Sequence, residues 1–212
     1  MTEGRNFTTA EADALWDIIR HRRDVRGNRF ADKPLEAEVV DRILDAAMHA
    51  PSVGFSQPWE FVLVEDREVR RQVRASFEEV NERAQGVFGH RGGEYARLKL
   101  EGILEAALNI AVFYVPPAGP VLGQTAMEEV GLYSVVCAVQ NMWLMARALN
   151  VGMGWVSILE PERVRGLLGA PEGNRLVAYL CVGYTDGFYD QPELELLQWE
   201  KRKMREKLIR KI

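Results

Sequence analysis

A long apolar run over residues 131–149 constrains the fold of this chain more than any other stretch. Gln140, Asn141 and Arg147 interrupt it. Charge in the middle of a bilayer is costly, so the pattern favours a helix buried inside a soluble protein over a membrane span. We therefore predict a helix over residues 125–149 that is apolar nearly all round and forms the centre of the core.

The rest of the chain alternates between helical periodicity and short apolar runs. Thr8 and Glu11 predict a capping box for a first helix that ends near Arg20, and Pro161 opens a short helix. Helical spacing predicts three further helices. The first ends near residue 50, and the other two span residues 69–84 and 98–108. Apolar runs predict buried strands at residues 61–64, 110–115, 152–159 and 176–182. We therefore predict a single domain over residues 1–212, α+β or α/β, with helices packed on one sheet.

Composition and motifs exclude several classes of protein. The net charge of −4 gives no support for nucleic-acid binding. Two cysteines in apolar runs predict buried thiols in a reducing compartment, and three scattered histidines offer no zinc site. The polar residues 1–4 show no signal peptide, so we expect a cytoplasmic protein with no membrane span. The sequence has no Rossmann glycine fingerprint, no P-loop and no Gly-x-Ser-x-Gly elbow.

The stretch Arg22-Arg23-Asp24-Val25-Arg26 is the strongest candidate for a binding site. In an extended conformation Arg22, Asp24 and Arg26 share one face, and Arg23 takes the other. Planar, permanently charged guanidinium groups suit phosphate. We expect the nearby positive charge to lower the pKa of Asp24 and keep it ionised. A solvated basic surface loop is the alternative interpretation.

Two loops and the C-terminus hold further candidates. Residues 51–58 lead into the first strand, and Ser52, Ser56 and Gln57 there offer short polar groups, with ordinary turn chemistry as the alternative. Residues 86–93 place four glycines around Phe88, which predicts a mobile loop or lid, or an ordinary flexible connection. The basic segment after residue 200 is either a binding element or a solvated helix end.

Taken in order, these motifs resemble the FMN-dependent nitroreductase family, and the resemblance covers the whole chain. It rests on residues 22–30 (RRDVRGNRF), 51–59 (PSVGFSQPW), 131–134 (GLYS) and 154–157 (GWVS). Two positions depart from common nitroreductases: Asp24 stands where they have Ser, and Ser56 where they tend to have Asn. Both departures match the branch of the family that fragments its own flavin.

The resemblance implies an α+β nitroreductase-like sandwich, with a central mixed sheet flanked by helices. It implies an interlocked homodimer with two FMN sites at the subunit interface and a C-terminal tail that wraps the partner. A helix as apolar as residues 125–149 would then lie at the dimer seam. The FMN-binding residues that the resemblance implies are Arg22, Arg23, Asp24, Val25, Arg26, Ala50, Ser52, Ser56, Gln57, Lys99, Ser157 and Arg205, with Arg202 as the alternative to Arg205.

The resemblance also implies an unusual reaction, in which reduced FMN is the substrate. With O2 it is cut to dimethylbenzimidazole and erythrose 4-phosphate, for the lower ligand of vitamin B12. Asp24 and Ser157 are the catalytic candidates: Asp24 as the base for a ribityl proton, Ser157 at the end of a glycine-rich strand whose backbone can approach the ring. Alternatively, Asp24 only orders the arginines and Ser157 caps the next helix. Residues 86–93 and the helix before them would form the lid.

Two other functions fit the same family. One is an NAD(P)H-dependent FMN reductase of nitro or quinone compounds, and the other is a flavin-binding protein without activity. In the flavin-fragmenting interpretation, NAD(P)H acts only as an indirect reductant, through a separate flavin reductase.

Overall fold

The computed structural model describes residues 4–212; of the polar start predicted over residues 1–4, residues 1–3 lie outside them. Within the described residues the chain forms seven α-helices and four β-strands. The helices are α1 (Thr9–His21), α2 (Ala37–Met48), α3 (Arg67–Val87), α4 (Gly92–Tyr95), α5 (Val130–Ala148), α6 (Pro161–Leu167) and α7 (Glu193–Leu196). The strands are β1 (Trp59–Val64), β2 (Leu108–Tyr114), β3 (Val151–Val156) and β4 (Arg175–Tyr184).

The four strands form one sheet in the order β1-β2-β4-β3. Each neighbouring pair is antiparallel; Val151 of β3, for example, lies opposite Tyr184 of β4. The expected mixed sheet is therefore corrected: the long connections, such as residues 65–107 between β1 and β2, allow either strand direction, and the structure has the antiparallel one. Parallel pairing among the described residues is confined to a single bridge between Asp24 and Met153.

Helices cover both faces of this sheet, as β2 shows most clearly. Every residue of β2 is buried, and its side chains alternate between two cores. Ile110 and Val112 join the core beneath α2 and α5, whereas Ala111 and Phe113 join the core beneath α3 and α6. This alternation follows from the two-residue period of a strand. The predicted α+β sandwich is confirmed.

The long apolar helix is present but shorter than predicted, since α5 begins at Val130. Val139 and Met142 on its inner side are fully buried. Its other side is open: Tyr133 is 51% and Val136 41% exposed. The helix is thus a core element with one uncovered apolar face. No helix within residues 4–212 is long and apolar enough to cross a membrane.

Local signals at several element ends are confirmed. The Glu11 amide donates to the Thr8 hydroxyl, and the Glu11 side chain accepts from the Thr8 amide, which completes the capping box of α1. Pro161 stands at the start of α6. Both cysteines are free thiols; Cys181 is buried as predicted, and Cys137 is only half-buried.

The helix predicted over residues 98–108 is wrong, because this stretch forms turns before β2. Its carbonyls are held by distant side chains instead of by a helical ladder. Arg26 Nη1 donates to the Leu100 carbonyl at 2.8 Å. The buried Arg70 donates to the carbonyls of Ala106 and Ala107, each at 2.9 Å. Tertiary contacts have overridden the local periodicity.

Candidate active site

Residues 22–26, here called the arginine stretch, run along β3 at an edge of the sheet. Asp24 forms a parallel bridge with Met153, and the Val25 amide donates to the Met153 carbonyl at 3.0 Å. Val25 is buried against two glycines of β3. A Cβ added at Gly154 would lie 2.2 Å from the Val25 carbonyl oxygen, and one at Gly152 would lie 3.0 Å from the Val25 side chain. These glycines, expected to admit a flavin ring, therefore admit the arginine stretch itself.

Asp24 is held at both carboxylate oxygens. The Trp155 amide of β3 donates to Oδ1 at 3.2 Å, and Arg26 forms an ion pair with Oδ2. Arg26 is fixed in turn by its hydrogen bond to Leu100. The carboxylate thus has one orientation, set by the sheet and by the turns before β2.

The pKa of Asp24 is raised, which corrects the expectation that arginines would lower it. Burial is the largest cause, because it disfavours the charged carboxylate. Arg26, the Trp155 amide and Arg22 act in the opposite direction but do not outweigh it. Asp24 is therefore a stronger base than a solvent-exposed aspartate.

The other two arginines differ in what they contact. The Arg22 guanidinium lies 4.6 Å from the ring centre of Trp143, and it donates no hydrogen bond within residues 4–212. Arg23 Nη1 donates to the carbonyls of Arg20 and Arg22, at 2.9 and 2.6 Å, and Nη2 donates to the carbonyl of Asp190. Burial lowers the pKa of both arginines. Arg22 therefore remains available to an anion.

Two adjacent cavities open onto this stretch. The smaller has a volume of about 140 Å³ and is lined by Arg22, Arg23, Asp24, Arg26, Pro192, Glu193 and Leu194. The larger has a volume of about 560 Å³, and four arginines contribute to its wall: Arg20, Arg22, Arg23 and Arg202. Such a concentration of guanidinium groups suits a phosphate.

The loop over residues 51–58, here called the serine loop, lies elsewhere on the chain. The Ser52 hydroxyl accepts from the Gln57 amide at 3.1 Å, as in an ordinary turn. Ser56 Oγ is buried and has no hydrogen-bond partner among residues 4–212. A buried hydroxyl without a partner is costly, so Ser56 is suited to a group outside this chain.

The structure does not bring the serine loop and the arginine stretch together. The Val53 amide of the loop donates to Ser134, near the start of α5. The Trp143 indole, nine residues further along α5, donates to the Arg23 carbonyl. At 1.5 Å per helical residue, these two points of α5 are roughly 14 Å apart.

A family model, described as the nitroreductase family, matches residues 19–184. The chain belongs to the nitroreductase family. Within it, a 5,6-dimethylbenzimidazole synthase of Rhodospirillum rubrum is 43% identical over 96% of this chain and 97% of the relative. A second protein of that name, from Rhodobacter capsulatus, is 38% identical over 92% of this chain and 95% of the relative.

Solved structures support the nitroreductase fold. A BluB-like flavoprotein of Clostridium difficile has a TM-score of 0.70 at 19% identity and covers 93% of this chain and 98% of its own. An iodotyrosine deiodinase bound to FMN and 3-iodo-L-tyrosine has a TM-score of 0.69 at 26% identity. It covers 82% of this chain and 91% of its own.

Ser157 and Lys99, both predicted for this site, lie close in sequence to residues that hold Asp24 and Arg26. Ser157 is exposed just after β3, two residues beyond Trp155, and it does not cap α6, whose N-cap is Glu160. Lys99 is exposed and precedes Leu100, which binds Arg26.

Neither Ala50 nor Arg205 lines the arginine cavities. Ala50 is buried just before the serine loop. Arg205 is exposed in a short 3-10 turn and does not line either arginine cavity. Arg202, named as its alternative, lines the larger one.

No role at the site was predicted from the sequence for three residues that the structure places around the arginines. Trp143 contacts Arg22, and the Trp155 amide holds Asp24. Glu193 lines the small cavity together with Asp24. The Asp-Gly turn at residues 186–187, followed by Pro192, indicated that the chain turns back here, but it did not show where the next residues would dock.

We expect Gly154→Ala to displace the arginine stretch, since a Cβ 2.2 Å from the Val25 oxygen requires a backbone shift. Overpacking of this kind costs about 1–3 kcal/mol, and we expect FMN affinity to fall about tenfold. Thermal unfolding and quenching of FMN fluorescence measure both effects. Gly166→Ala, an exposed position in α6 with open space around it, is the control and should leave FMN affinity unchanged. Unchanged affinity in Gly154→Ala would contradict this role for the Val25 contact.

Proposed function

We propose that this protein is a 5,6-dimethylbenzimidazole synthase, which uses O2 to fragment reduced FMN into dimethylbenzimidazole and erythrose 4-phosphate for the lower ligand of vitamin B12. One observation carries the proposal. A half-buried carboxylate, Asp24, stands among the arginines and is ion-paired with Arg26, at the position where common nitroreductases resemble Arg-x-Ser-x-Arg. The curated relatives of that name support the same reaction.

The donors of this chain fit FMN. Arg22 has a guanidinium without an acceptor, and Ser56 has a buried hydroxyl without a partner. Both are suited to the phosphate and ring oxygens of a flavin. The residues that would hold it are Arg22, Arg23, Asp24, Val25, Arg26, Ala50, Ser52, Ser56, Gln57, Lys99 and Ser157, with Arg202 or Arg205 from the tail. Reduced FMN supplies both the electrons for O2 and the carbon skeleton of the products.

Asp24 is the proposed base for the proton on the ribityl C1′ carbon. Its carboxylate is oriented by the Trp155 amide and by Arg26, so it can act without first reorganising. The raised pKa of Asp24 strengthens it for this task. Ser157, which follows the same strand as Trp155, is the proposed second catalytic group, suited to guiding a proton.

We expect Asp24→Asn to lower dimethylbenzimidazole formation by a factor of about 100 or more, because an amide cannot take up the proton. Binding of reduced FMN should persist, since the arginines remain. Chromatography of products formed from reduced FMN in air measures the reaction. Asp186→Asn, the same change at an exposed turn residue, is the control and should retain full activity.

We propose that a separate flavin reductase, which uses NAD(P)H, supplies the reduced FMN. Consumption of NAD(P)H with a nitroaromatic compound, without any benzimidazole, would overturn the proposal in favour of a conventional nitroreductase. Reoxidation of reduced FMN without either product would indicate a flavin-binding protein.

The site is proposed to be completed by a homodimer. Within one chain, the serine loop and the arginine stretch contact separate points of α5. Each flavin would therefore be bound by the arginine stretch of one chain and the serine loop of the other. The open face of α5, with Tyr133 and Val136, gives that copy an apolar surface to cover. Further apolar side chains are exposed on α1 and in the tail: Leu15, Trp16, Ile19, Leu208 and Ile209.

Co-expression of an Arg22→Ala chain with a Ser56→Leu chain tests this shared site. Each variant alone should be inactive, whereas each mixed dimer has one site with both changes and one site with neither. Random pairing of the two chains then restores about a quarter of the wild-type activity per chain. Absence of any restored activity in a mixed dimer that has been purified with two affinity tags would contradict a site shared in this way.

Residues 86–93 form helical turns, not the mobile loop predicted, and we propose that they are the lid. Phe88 stacks on Tyr95 at 4.7 Å and meets Trp199 edge-on at 5.2 Å. The Arg91 guanidinium lies 3.8 Å from the centre of the Trp199 ring. Trp199 is the last residue of the segment 187–199, here called the strap. Pro192 of the strap lines both arginine cavities. The aromatic contacts therefore join the lid to the wall of the site.

We expect Trp199→Ala to loosen the lid, so that water reaches the site and more reduced FMN is oxidised without fragmentation. The yield of dimethylbenzimidazole per O2 consumed should fall several-fold, with a matching rise in hydrogen peroxide. Product chromatography and a peroxide assay measure the two quantities. Trp199→Phe keeps an aromatic ring against Phe88 and should restore most of the yield; an unchanged yield in Trp199→Ala would argue against the lid.

A further inference from the structure

The strap is anchored to the body of the protein at its first residues. Arg29 Nη2 donates to the Gly187 carbonyl at 2.7 Å, and the same guanidinium lies 4.3 Å from the ring centre of Tyr189. The Arg147 guanidinium lies 4.1 Å from the ring centre of Phe188. These contacts fix the direction in which the chain leaves β4.

The strap is anchored again on either side of α7. Arg23 donates to the Asp190 carbonyl before the helix, and Arg91 Nη2 donates to the Trp199 carbonyl after it, at 2.8 Å. Glu193, the first residue of α7, is therefore part of a segment held at both ends. Its position relative to Asp24 is set by the fold.

Glu193 shares two cavities with Asp24. Both residues line the 140 Å³ cavity, and both line the narrow gap beside it, where Arg26 and Arg29 also contribute. Glu193 is half-buried, and it forms no ion pair with any arginine in residues 4–212. A carboxylate left unpaired beside phosphate-binding arginines opposes an anionic ligand, so its presence there needs another explanation.

Charged and polar groups from several elements surround Asp24. Arg22, Arg23 and Arg26 come from its own stretch, Arg29 from the turn that follows, and Glu193 from α7. From β3 comes the Trp155 amide. Glu193 is the negative member of this set, and it raises the pKa of Asp24 in addition to burial.

We propose that Glu193 is a positioning residue for the function proposed above: its carboxylate faces Asp24 across the arginine-lined cavity, offsets the arginines and keeps Asp24 effective as a base. The fold thus pairs a base on one segment with a carboxylate that acts on it from the strap. Glu193 touches no reacting atom in this scheme and acts only through Asp24.

Glu193→Gln tests the proposal because it removes the charge and keeps the shape. Without the negative charge Asp24 releases its proton at lower pH, so the acid limb of the kcat profile should move down by about half a unit to one unit. At higher pH the weaker base should lower kcat about threefold to tenfold. The KM for reduced FMN should fall or stay the same, because a repulsive charge has left the site.

That combination separates positioning from a merely structural role. Loss of structure would raise KM and lower stability, whereas the proposal requires slower turnover with binding intact. Glu193→Asp, which keeps the charge, should restore most of kcat. Glu200→Gln, an exposed change just beyond the strap, should leave the pH profile unchanged. An acid limb that does not move in Glu193→Gln would overturn the proposal.

A second measurement does not depend on the reaction. The side-chain carboxyl carbon of Asp24, labelled with ¹³C and assigned by its loss in Asp24→Asn, can be titrated by NMR in the flavin-free protein. The titration should move to lower pH in Glu193→Gln, and an unmoved titration would overturn the coupling. If the wild-type protein makes no dimethylbenzimidazole, the proposed function fails, while this titration still decides whether Glu193 acts on Asp24.

Discussion

The contact between Val25 and the glycines of β3 is the constraint on which the rest of the site depends. Gly154 leaves no room for a side chain, because the Val25 backbone occupies that space. This close approach lets the Trp155 amide reach Asp24, and the ion pair with Arg26 then fixes the carboxylate. The position of the polar residues is thus set by an apolar, steric fit beneath them.

The electrostatics of the site result from effects that act on Asp24 in opposite directions. Arginines favour an ionised Asp24, while burial and Glu193 favour the protonated form, and burial is the largest of these effects. A carboxylate among guanidinium groups can therefore be a stronger base than one in water. The same arrangement leaves Arg22 without an acceptor and so keeps positive charge available to a phosphate.

Local signals in the sequence predicted the elements well, and long-range contacts explain what they missed. The capping box at Thr8 follows from the spacing of two nearby residues, and the buried strand β2 from a continuous apolar run, so both could be predicted from local sequence. The stretch before β2 has helical spacing, but Arg26 and Arg70 take its carbonyls from a distance. The direction of the Asp24 pKa shift could not be predicted, because the burial that decides it depends on how distant segments pack around Asp24 in three dimensions.

Because β3 is an edge strand, the arginine stretch that lies along it also affects how the sheet edge is covered. An edge strand presents unpaired N–H and C=O groups that can recruit a strand from another molecule. Here Val25 binds the Met153 carbonyl and Asp24 binds the Trp155 amide, so the stretch shields that edge. The contacts that hold the arginine stretch on β3 therefore also cover an edge strand, and a change that frees the stretch would expose the unpaired backbone groups of β3.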